Sequence, residues 1–139
     1  MKKFLTLLII ATSLSSYTTV PIAPFNIIGR WEGLEDGNSV FMTFDKDGYA
    51  IIEKNGHALG GKEFIIKGGK GSMTYKTDFT KDPDELDIVI TKIATKEQKS
   101  LKGIFKVISD NQMEVCIGYN GVRPVNFSTP DAMVFTRVK

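Results

Sequence analysis

Apolar side chains recur at every second position over much of the chain, in short runs broken by Gly, Asn and Asp. Val40, Met42 and Phe44 share one face of a segment over 38–45. Leu86, Ile88 and Ile90 do the same in a segment running to about Thr95, with Val89 and Ile93 opposite. That alternation marks a half-buried strand, because successive side chains leave the backbone on opposite faces. Further strands are predicted over 27–34, 49–54, 64–66, 72–80, 100–108, 113–119 and 132–138. Between them lie turn signals: Asp36-Gly37, Asp45-Lys46-Asp47-Gly48, Asn55-Gly56, Gly68-Gly69, Asp82-Pro83 and Ser109-Asp110. Asn120-Gly121 suits the two positive φ angles of a type I′ turn. It leads into Arg123-Pro124-Val125-Asn126-Phe127, where proline holds the backbone. Gly60 and Gly61 predict a looser connection after Asn55-Gly56, and 128–131 reads as a loop. No stretch sustains a 3.6-residue period with caps at both ends.

Roughly eight to ten short strands at regular spacing predict an all-β, antiparallel sandwich or barrel. Hairpin-length links favour a meander, and a meander of this size closes into an up-and-down barrel. Closure also removes exposed sheet edges. The interior of such a barrel is either filled by side chains or holds one small ligand. Met42, Phe44, Ile51, Phe64 and Ile88 are candidates to fill it or to line a cavity. Ile90, Phe105, Val115, Ile117 and Phe135 complete that set.

The 139 residues make one domain, placed over 27–139. The start of the chain has a different character. Met1-Lys2-Lys3 is basic, Phe4 to Ala11 is apolar, and small residues follow from Thr12 to Ser16. This is the pattern of a signal peptide over 1–18, cut between Ser13 and Thr19. The apolar run is far short of the roughly 18 residues that span a bilayer, so no membrane span is expected. No cysteine stands near the cut to carry a lipid. The mature protein is then periplasmic or extracellular. Its charge is balanced as well, because loss of Lys2 and Lys3 leaves 16 basic against 16 acidic residues. That leaves no basic stripe for nucleic acid. Lys92, Lys96, Lys99 and Lys102 form a local excess interrupted by Glu97, which reads as a solvated hairpin rim.

Gly29-Arg30-Trp31 on the first predicted strand resembles the Gly-x-Trp signature of lipocalins. Arg137 on the last strand suits the arginine that packs across that tryptophan, since first and last strands are neighbours in a closed barrel. Three further segments are similar to a family of small exported bacterial lipocalin-like proteins. These are Lys102-Gly103-Ile104-Phe105, Met113-Glu114-Val115-Cys116 and Arg123-Pro124-Val125-Asn126-Phe127. The family shows Lys-Gly-Ile-Tyr, Leu-x-x-Cys and Arg-Pro-x-x-Phe in these places, so Phe105 and Met113 are departures. The resemblance implies the barrel and makes Gly29, Trp31, Cys116, Pro124, Phe127 and Arg137 structural. It carries no activity.

Catalytic and metal chemistry find little support. His57 is the sole histidine and lies by a turn, and Cys116 is the sole cysteine, which excludes an internal disulfide. A zinc site needs three or four ligands, and no nucleophile motif accompanies His57. Cys116 in Val115-Cys116-Ile117 reads as a small buried residue. Asp45-Lys46-Asp47-Gly48 opens like a calcium loop but has Gly56 where the bidentate Glu belongs. Gly68 to Ser72 does not fit a phosphate loop. Asp82, Asp84, Glu85 and Asp87 form an acidic run that Pro83 marks as an exposed turn. Arg123 has two readings: it bonds loop carbonyls or an acid at the barrel rim, or it anchors a ligand's carboxylate or phosphate at the mouth. No cofactor, metal or catalytic residue is expected. The expected function is binding of a small apolar or amphipathic ligand by Phe44, Ile51, Ile88, Phe105, Val115, Arg123 and Phe135. The alternative is a filled barrel that serves as an interaction or inhibitor module in the envelope, through loops such as 54–62 and 120–123.

Overall fold

The computed structural model describes residues 24–139, and the predicted signal peptide lies outside the described residues. Ten antiparallel strands form one nearly closed up-and-down barrel. The first five are β1 (Gly29–Glu35), β2 (Asn38–Phe44), β3 (Ala50–Lys54), β4 (His57–Gly60) and β5 (Phe64–Ile66). The others are β6 (Gly69–Asp78), β7 (Asp84–Lys92), β8 (Gln98–Ser109), β9 (Gln112–Gly118) and β10 (Ala132–Arg137). The hydrogen-bonded order is β4-β3-β2-β1-β10-β9-β8-β7-β6-β5, so chain neighbours pair everywhere except β4 and β5, which end the order, and β1 meets β10. The four residues of β4 hold one strand more than the alternation pattern predicts in 57–63.

Turn chemistry sets the register. Asp36-Gly37, Asn55-Gly56 and Lys67-Gly68 each take two positive φ angles between paired strands, the backbone of a two-residue type I′ hairpin. Asn120-Gly121 departs from the prediction. Only Gly121 has positive φ, and the Asn120 side chain accepts a hydrogen bond from the Val122 amide at 3.1 Å. That local bond opens an excursion over 119–131 instead of closing a hairpin. The excursion begins against backbone, since a Cβ at Gly118 would lie 1.9 Å from the Val122 carbonyl oxygen.

The seam lies between the β3–β4 and β5–β6 hairpins. Tyr49 bridges Thr74, and the Gly61 amide donates to the Ala50 carbonyl at 2.8 Å. The Met73 amide then donates to Gly61 at 2.9 Å, and the Tyr75 hydroxyl caps the Asp45 carbonyl at 2.8 Å.

Inside, the two ends differ. At one end the lead-in to β1 crosses the barrel floor and places Phe25 5.8 Å from Trp31 and 6.3 Å from Phe105, centroid to centroid. Phe79 stacks edge-on to Phe105 at 5.4 Å, and Phe44 meets Tyr75 at 4.8 Å. Trp31, Phe44, Phe105 and Leu86 are buried in this aromatic floor. Such tilted and edge-on pairs add roughly 0.5–1.5 kcal/mol each beyond area burial. The floor is the filled half of the barrel.

Candidate functional site

The other half is hollow. A cavity of about 320 Å³ opens at the end where β1 gives way to β2 and β9 to the 119–131 excursion. Strand alternation supplies its walls. Val40 and Met42 of β2 face Ile52 of β3 on one side. Ile88 of β7 and Leu101 of β8 are register partners across from them. Val115 and Ile117 of β9, with Met133 and Phe135 of β10, complete the apolar lining. The size and apolar character are those of a small-molecule site.

Polar groups gather only at the mouth: Glu35, Lys54, Tyr119 and Asp131. Glu35 continues the inward face of Trp31 and Gly33, and Lys54 continues that of Ala50 and Ile52. Glu35 and Lys54 form an ion pair. The hydrogen bond to Glu35 holds the Lys54 ammonium above the usual lysine range. Desolvation, then the Glu35 and Asp131 carboxylates, raise the Tyr119 phenol above its ordinary range, although most of that residue is exposed.

The ligand-binding residues expected from the sequence fall into three groups. Ile88, Val115 and Phe135 line the cavity. Phe44 and Phe105 point inward but belong to the aromatic floor, so they shape the cavity's base without lining it. Ile51 and Arg123 require correction. Ile51 pairs with Thr43 on the outer face, and Ile52, paired with Met42, takes the inward place. Two adjacent isoleucines make alternation ambiguous, and the type I′ turns on either side of β2 and β3 decide the parity.

Arg123 is not at the mouth. It lies on the outer wall, where Nη1 donates to Asp87 Oδ1 at 2.6 Å and to the Gly103 carbonyl at 2.8 Å. Nη2 donates to Asp87 Oδ2 at 3.1 Å, and Nε lies 3.4 Å from Glu85. Each of the three guanidinium nitrogens has an acidic partner, and the pKa is raised first by the Asp87 bond. The acidic run is thereby divided by strand parity: Glu85 and Asp87 face outward to Arg123, while Asp84 shares the inward parity of Leu86.

The segment after Arg123 is a strap over the outside of β8 and β9. Ile104 and Cys116 are outward-facing yet buried beneath it, and Thr129 Oγ1 sits 3.3 Å from Cys116 Sγ. Lys106 Nζ stands 5.5 Å above the Phe127 ring. Pro124 is half-buried in the strap. At the floor, Arg137 lies over Trp31 with its Cζ 4.2 Å from the ring centroid, and Gly29 leaves room beside it. His57 is exposed at the start of β4. Among the described residues no group of His, Cys, Asp and Glu side chains could hold a metal ion. No helix among them is long and apolar enough to cross a membrane.

Glu35, Lys54, Tyr119 and Asp131 had no signal of their own in the sequence. The first three follow from extending the inward alternation to strand ends, whereas Asp131 comes from a loop whose path no periodicity predicts. Compared with family models, curated proteins and solved structures, the chain finds no match.

Proposed function

We propose that this protein is an exported, lipocalin-like carrier that holds one small apolar or amphipathic molecule in the open half of its barrel, without catalysis. The observation that carries the reading is the division of the interior. An aromatic floor seals one end, and an apolar cavity of about 320 Å³ with a polar rim occupies the other. A filled interaction module would have no need of the hollow half. In the carrier reading, Met42, Ile52, Leu101 and Ile117 contact the apolar part of the ligand, and mouth groups contact any polar end.

The test is mass spectrometry of an organic-solvent extract of the protein purified natively from its own cells, beside an Ile117→Trp variant. A stoichiometric apolar compound in the first and its absence in the second is the expected result. Clean extracts from both, with no binding of added decanol, would overturn the carrier reading and direct attention to protein partners. Trp31 fluorescence would be a poor reporter, because the indole is fully buried in the floor, away from the cavity lining.

A further inference from the structure

The cavity does not end at its rim. A smaller recess of about 140 Å³ lies between the β1–β2 turn and the 119–131 excursion, and shares Glu35, Tyr119, Asp131 and Met133 with the cavity lining. Its charged residues are Glu35, Asp36 and Asp131, and no basic residue lines it. Lys54, the one cation of the cavity lining, is already engaged by Glu35. Asp131 is in no ion pair among the described residues. The lysines of the β7–β8 hairpin, Lys92, Lys96 and Lys99, line neither space, and Lys92 is bound to Glu97 at 2.8 Å.

An apolar chamber joined to an acid-lined antechamber has the polarity of a cationic amphiphile. We propose that the ligand class is an amphiphile with an ammonium head: the head occupies the recess beside Asp36 and Asp131, whose carboxylates are in no ion pair among the described residues, and the tail enters the cavity. The inference rests on the carrier reading and adds the head-group chemistry. Tyr119 lines both spaces and contributes an electron-rich ring at the junction, a face that attracts an ammonium. An anionic head would meet the unpaired Asp131 and could reach Lys54 only by displacing Glu35. Screened carboxylates at an open mouth contribute modestly each, so a preference of about tenfold for a cationic over an anionic head is the scale expected.

Three probes with the same tail separate the terms: decyltrimethylammonium, decanoate and 1-decanol, titrated calorimetrically into the full mature chain. The expected order is ammonium, then decanol, then decanoate, with about tenfold between the extremes. Added salt should narrow the gap, since exposed charges are screened over about 10 Å at moderate ionic strength. Asp131→Asn should cut the preference for ammonium over decanol about threefold, with Asp36→Asn acting in the same direction. Equal affinity for all three probes, tighter binding of decanoate, or a preference untouched by both substitutions would overturn the head-group assignment and leave the carrier reading standing. Binding of none of the three would overturn both.

Discussion

Arg137 closes the barrel floor by lying across Trp31, its register partner on the neighbouring strand, at 4.2 Å from the ring centroid. The same guanidinium donates to the carbonyls of Ile28 at 2.8 Å, Asn26 at 2.6 Å and Asp110 at 3.0 Å. One side chain therefore ties the lead-in segment, the β8–β9 turn and the ends of β1 and β10 together. Trp31 Nε1 donates to the Ile27 carbonyl at 2.8 Å, so the indole fastens the same lead-in from inside.

Arg137→Ala should destabilise the protein by about 2–3 kcal/mol, from charged hydrogen bonds and the cation–π contact combined. Arg137→Lys should recover only part, because an ammonium lacks the fork that reaches separate carbonyls. Urea unfolding followed by Trp31 emission measures both.

Gly29→Ala should weaken the same corner. The residue has φ of 135°, and a Cβ there would lie 2.9 Å from Arg137 Nη1. The expected cost is about 1–3 kcal/mol for the strained backbone. With Arg137 already Ala the backbone strain should remain and only the cost of the Nη1 contact should disappear, and a double-mutant cycle would measure that coupled part.

Loss of the Arg123 clamp should loosen the strap and uncover Cys116. In Arg123→Ala the buried thiol should react with a disulfide reagent at least severalfold faster, while the barrel's circular dichroism remains unchanged. The cost in stability is expected near 1–2 kcal/mol, in the range of hydrogen bonds to charged groups that are not fully buried. An unaltered thiol rate would mean that strap and clamp are independent.

The filled and hollow halves should respond differently to truncation. Phe105→Ala removes a floor ring and should cost about 3–5 kcal/mol. Ile117→Ala enlarges a space that is already open to solvent, and should cost about 2 kcal/mol or less. Chemical denaturation of the two variants compares them directly.

Asp84 carries a predictable pH dependence. Burial, then the nearby Asp82 and Asp78 carboxylates, raises its pKa above the ordinary value. The folded protein thus binds this proton more tightly than the unfolded chain does. The residue's contribution is most favourable at acid pH, declines as pH rises from the unfolded pKa to the higher folded one, and is flat above. Asp84→Asn should stabilise the protein at neutral pH by well under about 1 kcal/mol, since the group is partly solvated. The gain should vanish in acid, which denaturation at two pH values would reveal.

Local chemistry made much of this architecture readable in one dimension. Val40-Met42-Phe44 and Leu86-Ile88-Ile90 could be read as strand faces because side chains alternate with period two wherever one face is buried. Asp36-Gly37 and Asn55-Gly56 marked their hairpins because few dipeptides accept two positive φ angles. Short links then left an antiparallel meander as the natural arrangement. Position in space followed other rules. Ile51 and Ile52 are equivalent to any local pattern, and only pairing with Thr43 and Met42 assigns one outward and the other inward. Asn120-Gly121 carries a hairpin signature, yet the Asn120 side chain bonds the Val122 amide and a long strap follows. Arg123 is suited to a ligand's carboxylate in sequence, and finds Asp87, 36 residues away, on the outer wall. Whether aromatic residues fill a barrel or ring a cavity depends on their height along the strands. Phe25, Phe79 and Phe105 gather at one end because the lead-in folds across the floor there, and the other end, walled mostly by aliphatic side chains and methionines, remains hollow. Such contacts join residues far apart in the chain, so they exist only once the barrel has closed.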